Sequence, residues 1–410
     1  MMIVGLVVAG FLGIRAVGQT AYITNFGDNT VSVINVTADT VVTTIHVGIN
    51  PLGVACSPDG NWVYITNMGA GTVCIINTAT NTVSATIQVG SGPTGIAVNP
   101  AGTKLYVANY LDYTVDEITL ATNSITAIIN VGAYPNGVAV SPDGSKVYVT
   151  NYIDNTVSAI NTSANTVMAT ISVGQQPLGV CMSIDGSKAY ITNYGSGTVS
   201  IINTATNAVS GIITVGVQPE GISVNPVGTR AYVTNFFDTT VSVINTATNT
   251  VTATVKVGTN PDGISVTPDG SKVYVVNYGG NSVDVMLASN NSVPTAIAVG
   301  GAPEPLGNFI SIYPSHTGIP SLTPPTPSIT IYPNPANTIL NIHSQLTIGN
   351  CQLIITDVMG NEVYRETLPA IVNCQLSIVN WNAGIYFYEI RGEGTGLQIP
   401  TSTRGKFIKE

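Results

Sequence analysis

The chain has 410 residues, of which only 8% are charged, with 42 Gly, 23 Pro and a formal net charge of -9; this is the composition of an all-β extracellular protein rich in tight turns. An acidic balance argues against duplex nucleic acid as a partner, since binding it needs clustered Lys and Arg to displace counterions. Five Cys without a Cys-x-x-Cys pair, and three His (His46, His316 and His343) far apart in sequence, argue against zinc and haem.

Residues 1–18, MMIVGLVVAGFLGIRAVG, form an apolar run followed by small residues, too short to span a bilayer. They read as a signal peptide cut after Gly18, leaving Gln19 first, and no transmembrane segment is expected. Arg15 lies beyond the apolar run rather than before it, so an uncleaved apolar leader is the alternative.

Residues 19–314 repeat with a period of 42 residues, marked by Tyr22, Tyr64, Tyr106, Tyr148, Tyr190, Tyr232 and Tyr274. Each Tyr opens a Tyr-x-x-Asn tetrapeptide, closed by Asn25, Asn67, Asn109, Asn151, Asn193, Asn235 and Asn277. A repeat of this length cannot bury its apolar surface alone and must stack on a neighbour. One unit holds four short strands: 136–141, 146–151, 156–161 and 166–173, separated by Pro142-Asp143-Gly144, a polar loop, and Thr162-Ser-Ala-Asn165. With no helical periodicity, the pattern predicts a seven-bladed β-propeller of four-stranded antiparallel blades. Small residues at one repeated position (Ala55, Ala97, Ala139, Cys181, Ser223, Ser265) suit the taper towards the hub and mark the first strand as innermost. The chain starts on a second strand, so Phe309–Tyr313 is expected to supply the missing inner strand and leave no open edge. Pro303-Glu-Pro-Leu-Gly-Asn-Phe is longer than the corresponding Pro261-Asp-Gly, which leaves the closing register open.

The Tyr-Val-Thr-Asn cores at 148–151 and 232–235, the Tyr-Ile-Thr-Asn cores at 22, 64 and 190, and the near-consensus stretch TVSVINTATNTV at 240–251 resemble the YVTN family of β-propeller repeats. The resemblance implies a propeller of the kind found in surface-layer and secreted proteins. It says little about function, because propellers host binding, scaffolding and catalysis alike.

Strand order puts the loops between second and third strands on one face, together with those leading into the next blade. The turns of the opposite face are monotonous, and Lys104, Lys146, Lys188, Arg230 and Lys272 sit there. The variable face is expected to be aromatic and acidic. After each motif Asn stand Phe26, Met68, Tyr110, Tyr152, Tyr194, Phe236 and Tyr278, with Asp28, Asp112, Asp154 and Asp238 two residues on. Tyr110, Tyr152, Tyr194, Phe236, Tyr278 and Asn136 are the candidate ligand-facing residues, for stacking on a glycan or peptide or, alternatively, for covering the blade tops. The residue entering each inner strand (Leu52, Thr94, Asn136, Leu178, Glu220, Asp262, Glu304) should ring the channel mouth. Glu220, Asp262 and Glu304 form an acidic crescent there, either a Ca²⁺ or cationic-ligand site or solvated carboxylates at a wet rim. No other cofactor is expected. The seven motif Asn share one structural position and therefore one structural task, bonding to loop backbone.

Residues 315–328, SHTGIPSLTPPTPS, form an extended linker. Residues 329–410 lose the period and read as a small β-sandwich, with Cys351 and Cys374 on two of its strands, bridged or free in an oxidising compartment. Tyr332-Pro333-Asn334-Pro335-Ala336, Asp357-Val-Met-Gly360, the Gly384-Ile-Tyr386 strand and the terminal Gly405-Lys406-Phe407 are similar to the type A sorting domain of the type IX secretion system of Bacteroidota. That resemblance implies Sec export, recognition by the outer-membrane translocon, and release or anchoring at the cell surface.

Three functional readings remain. The first is a secreted, non-enzymatic binding, adhesion or scaffold module, its ring monomeric and its partner a surface glycan, peptide or protein. The second is a secreted propeller enzyme of lactonase or lyase type, which needs a base at the mouth. His46 falls on a fourth strand, far from the hub, so the carboxylates would have to serve. The third is a structural surface-layer component.

Overall fold

The computed structural model describes residues 19–311 without a break, and beyond them the stretches 329–332, 339–357, 362–377, 384–392 and 403–409. The leader and the linker lie outside the described residues. The chain divides into two compact units, 1–317 and 318–410.

Unit one is a ring of seven four-stranded antiparallel sheets. Blade 2 shows the plan: Pro51–Cys56 innermost, then Trp62–Asn67, Thr72–Asn77 and Thr82–Gln88. Blades 3 to 7 follow at 93–130, 135–172, 177–214, 219–256 and 261–298. Turn chemistry sets these lengths. Gly60, Gly144 and Gly270 take φ of 70° to 73° in the Pro-Asp-Gly turns, and Asn81, Asn165, Asn207 and Asn249 take φ of 50° to 55° in the opposite turns, a region that Gly and Asn enter at low cost. Second and third strands are buried on both faces, whereas the fourth strand alternates in and out. The core lies between blades: Tyr190, Val199 and Ile201 of blade 5 pack on Ile222, Ala231 and Val233 of blade 6.

Two repeated devices hold blade to blade near the hub. The motif Thr hydroxyl accepts the inner-strand Gly N–H of its own blade and donates to the mouth carbonyl of the next. Gly179 N reaches Thr192 Oγ1 at 2.8 Å, and Thr192 Oγ1 reaches Glu220 O at 2.6 Å. Inner-strand Gly is needed for this approach, since a Cβ on Gly53, Gly95, Gly137, Gly179 or Gly221 would stand 2.1–2.4 Å from the next blade's mouth carbonyl. On the monotonous face the cations reach across to the next blade: Lys188 Nζ to Thr246 O at 3.3 Å, Arg230 Nη1 to Ala288 O at 2.7 Å, and Lys146 Nζ to Thr204 O. Lys104 instead pairs with the buried Glu117 of its own blade at 2.8 Å. Burial raises the Glu117 carboxyl, but hydrogen bonds from Lys104, Tyr106, Thr126 and Asn165 outweigh it and leave the group below its usual range.

Closure follows the expected scheme, one strand from the C-terminal side and three from the N-terminal side. Ile310 and Ser311 pair with Ala21 and Thr20, and Pro303 bridges Asn25 as Pro51 pairs with Asn67. Between these anchors the chain carries two residues more than a regular inner strand: Cys56 is the fifth residue after its Pro, and Ile310, its counterpart, the seventh. The excess bulges onto the next blade, where Leu306 O accepts Val54 N–H at 2.8 Å. Gly307 takes φ of 104° there, and a Cβ would stand 2.7 Å from Val54 O. The same seam carries an ion pair, Lys272 to Asp39 at 2.7 Å, with the Tyr274 hydroxyl also donating to Asp39.

In unit two the described strands form a single antiparallel sheet, ordered Ile329–Tyr332, Ile339–Thr356, Gly384–Gly392, Thr403–Lys409, with Glu362–Ser377 paired to Ile339–Thr356. Two packed layers were expected, and among the described residues only this one is present. The register sets Cys351 opposite Leu368 and Cys374 opposite Ile342, so the strand pairing does not bring the two Cys side by side.

Candidate functional site at the channel mouth

The hub encloses a cavity of about 270 Å³ whose wall includes Ala97, Ala139, Cys181, Ser223 and, from the closing strand, Leu306. Burial pushes the Cys56 and Cys181 thiols up to about 12 and about 11, which leaves both unreactive.

Above this cavity the mouth positions divide into two groups. Leu52 and Thr94 are buried, and Thr94 Oγ1 donates to Pro135 O at 3.1 Å, taking up a stitching task in the blade where Ala108 replaces the motif Thr. Asn136 is half-buried, with its Oδ1 lacking a donor. On the other side stand Glu220 and Asp262, on consecutive inner strands, and Glu304, which follows the Pro303 bridge at the entry to the closing segment. Their charges act on one another: Glu220 raises Asp262, Asp262 raises Glu304, and Glu304 raises Glu220. Burial, the larger cause, pushes Glu220 up to about 7 and holds Asp262 and Glu304 well above the usual carboxylate range. Asp262 is 4% exposed. Its Oδ1 is buried and has no hydrogen-bond donor. Among the described residues no cluster of His, Cys, Asp or Glu is arranged to hold a metal ion.

The aromatic candidates Tyr110, Tyr152, Tyr194, Phe236 and Tyr278 are all half-buried. Tyr152 and Tyr194 lie within electrostatic reach of Glu220, and Tyr194 also of Asp262. Phe236 and Tyr278 pair across one seam at 6.3 Å, while Tyr110 packs on Tyr134 at 4.7 Å. Tyr134 and its neighbour Tyr113, 5.1 Å apart, were not foreseen.

The Asp of the variable face are exposed and also hold loops. Asp112, Asp154 and Asp238 accept the N–H of Ser91, Ala133 and Val217 at 2.6–2.7 Å, and Asp28 that of Gly301. These carboxylates staple loops together. Five of the seven motif Asn do the same at the strand end, as Asn151 does by accepting Gly132 N–H at 3.1 Å and donating to Thr156 and Ser158; in the blades of Asn109 and Asn277 the Gly N–H goes to Asp116 and Asp284 instead. The fully presented apolar side chains come one residue later than the positions chosen from sequence, at Leu111 (57% exposed), Ile153 (52%) and Phe237 (70%). Their signal was present, since the same position is Gly27, Gly69, Gly195 or Gly279 in the other blades.

Residues 330–399 match the family model of a secretion system C-terminal sorting domain. The tail is a type IX sorting domain. The sorting domain marks the protein for export, to the cell surface or the medium. Of its sequence signature, Tyr332, Gly384, Tyr386 and Lys406 fall on strands, and Pro333, Asn334 and Pro335 lie outside the described residues. No curated protein matches the chain. Among solved structures the ring is similar to the hydrazine synthase of Kuenenia stuttgartiensis (TM-score 0.62, 21% identity, 65% of this chain and 92% of that one). It is also similar to a functionally unknown protein of Desulfotomaculum acetoxidans (TM-score 0.60, 18% identity, 71% and 100%). Both likenesses concern the propeller fold. Among the described residues no helix is long and apolar enough to cross a membrane.

Proposed function

We propose that the ring is a non-enzymatic binding module that the sorting domain delivers to the cell exterior, and that it engages its partner through the variable face. The observation that carries this reading is the gathering, on that one face, of exposed Leu111, Ile153 and Phe237 with the half-buried rings around the carboxyl-lined mouth. Exposed apolar groups rimming a polar centre suit a contact surface. The type IX translocon is the partner of the tail; a glycan, peptide or protein is that of the ring. Binding of the full chain to glycan and peptide arrays tests the reading, with Phe237→Ser and Leu111→Ser as face variants and Val227→Ser on the opposite face as control. Loss confined to the face variants supports it; equal signals from all three overturn it.

A second reading has one observation in its favour. Glu220 and Asp262, neighbouring carboxyls both raised by burial, resemble the acid and base pair of a hydrolase. Turnover of a lactone or glycoside that vanishes in Glu220→Gln would favour the enzyme over the binding module.

A further inference from the structure

We propose that the seam between blades 2 and 3, on the face opposite the variable loops, holds a binding site for a neutral pyranose, with Trp62 as its stacking wall and Tyr64 and Asn123 as its polar edge. This goes beyond the reading above, which concerns the other face. A pocket of about 610 Å³ lies there, lined by Trp62, Tyr64 and Ser84 of blade 2 and by Thr103, Leu120 and Asn123 of blade 3. Its volume falls within the range of small-molecule sites, about 300–1,000 Å³. The corresponding seam between blades 4 and 5, where Lys146 and Thr204 stand in place of Trp62 and Leu120, leaves only about 120 Å³.

One departure from the repeat accounts for the difference. In blades 4 to 7 this position is Lys146, Lys188, Arg230 or Lys272, and each cation bonds to the next blade, at Thr204 O, Thr246 O, Ala288 O and Val36 O. Trp62 has no charge to offer, and the counterpart carbonyl, Leu120 O, receives no side-chain donor among the described residues. A second bond is missing at the same place. The Tyr148 hydroxyl donates to Asn207 at 2.9 Å and that of Tyr274 to Asp39, whereas Tyr64 and Asn123, which occupy the same two positions, are not joined. Nearer the hub the two blades remain stitched, Thr66 Oγ1 donating to Thr94 O at 2.7 Å. The seam is therefore held at the hub and open at this face.

The uncommitted groups define the ligand. The Trp62 indole N–H, the Tyr64 and Ser84 hydroxyls and the Asn123 amide make no hydrogen bond among the described residues, and none of them is walled off from solvent. A pyranose has an apolar C–H face and a rim of hydroxyls that both donate and accept, the complement of an indole set beside groups of both kinds. No Lys, Arg or His lines the pocket, and Asp59 adds a carboxylate to it. Uronates, sialic acids and sugar phosphates would meet that charge without a counter-ion, which selects a neutral ring. An apolar peptide side chain would leave the same four polar groups desolvated and unpaired, at a cost for each.

Fluorine NMR of the full chain labelled with 5-fluorotryptophan tests this, because the sequence has two Trp, Trp62 and Trp381. The probes are methyl α-glucopyranoside, methyl α-mannopyranoside, methyl β-galactopyranoside and N-acetylglucosamine, with a methyl glucuronide as anionic control and p-cresol as a stand-in for an aromatic peptide side chain. At least one neutral pyranoside should shift the Trp62 signal saturably and leave Trp381 unmoved. A dissociation constant of about 1 mM or weaker suits a ligand of this size. Tyr64→Phe should weaken binding about threefold to tenfold. Trp62→Lys identifies the signal by its loss and restores the cation of the other blades. It should melt no lower than the parent, and saturation transfer to the sugar should vanish. No shift of Trp62 by any neutral pyranoside at about 50 mM, or saturation transfer undiminished in Trp62→Lys, overturns the inference. So does tighter binding of the glucuronide or of p-cresol, the latter pointing to a peptide side chain instead. Phe237→Ser should leave pyranoside binding intact. Glycan binding lost with Phe237→Ser and kept in Trp62→Lys would overturn the seam site and leave the variable-face reading standing; the converse would do the opposite.

Discussion

Replacing Gly179 by Ala tests the hub packing directly. A Cβ at this position would stand 2.3 Å from Glu220 O and 2.9 Å from Thr192 Oγ1. Neither atom is free to retreat, because the Thr192 hydroxyl is bonded to both Gly179 N and Glu220 O. Relief must come from parting blades 5 and 6 at the mouth. Overpacking of this kind costs about 1–3 kcal/mol, and losing one or both hydroxyl bonds adds about 0.5–1.5 kcal/mol each. A total near 3 kcal/mol corresponds to a fall in Tm of about 6 °C or more for a domain of this size. Gly211 is the control: it lies on an outer strand, and the nearest atom to its Cβ would be Ile201 Cδ1 at an ordinary 3.5 Å. Gly211→Ala should be neutral or slightly stabilising, through the lower entropy of its unfolded chain. Thermal or urea unfolding of the two variants beside the parent gives the answer. Equal stabilities, within about 1 kcal/mol, would refute the claim that Gly is required by the close approach of the next blade.

At the closing seam, Asp39 stands where blades 4, 5 and 6 have Asn165, Asn207 and Asn249, and Asn207 accepts the Tyr148 hydroxyl at 2.9 Å. Asp39→Asn should therefore cost less than about 1 kcal/mol, and Asp39→Ala about 1–3 kcal/mol because the Lys272 and Tyr274 donors lose their acceptor, as read from chemical denaturation. Stability should also depend on pH through the mouth. Glu220, Asp262 and Glu304 are raised in the folded ring, so the folded state binds more protons and stability falls as pH rises, starting near the ordinary carboxylate range and, for Glu220, continuing to about 7. Glu220→Gln with Asp262→Asn should flatten that decline and melt higher than the parent at neutral pH; a steeper decline would contradict the assignment. Deleting residues 329–410 in a type IX-competent host should leave the ring in the periplasm, as followed by fractionation and immunoblotting, and its undiminished appearance outside would exclude a sorting role.

The ring was legible because the repeated residues do the same job in most of the blades. Tyr148, Asn151 and Gly132 each report a contact that any other residue would spoil, so periodicity alone identifies them. Where one residue type serves two ends, sequence does not choose. Asp112 and Asp154 read as part of an acidic face, and only the loop lying against them shows that they accept Ser91 and Ala133 N–H groups. Aromatic character drew attention to Tyr152 and Phe236, which are half-buried, and away from Ile153 and Phe237, which are more exposed. The acidic crescent follows from the 42-residue spacing, but nothing in that spacing indicates how deeply Asp262 is buried. Closure was foreseen in its strand count and not in its register, because the bulge at Leu306 answers to a carbonyl and an N–H on blade 2.

The pairing of Thr20 with Ser311 also sets an order of events. Blades 2 to 7 each assemble from hairpins of neighbouring sequence and can zip as soon as their residues are available. Blade 1 cannot: its innermost strand is the last piece of the ring to be synthesised and exported, and the loop it closes spans the whole of the other six. Until then the edge at Thr20–Asn25 is an unpaired strand. The sorting signal follows the latch in sequence, so a chain presenting a complete tail has already brought across the residues that shut the ring.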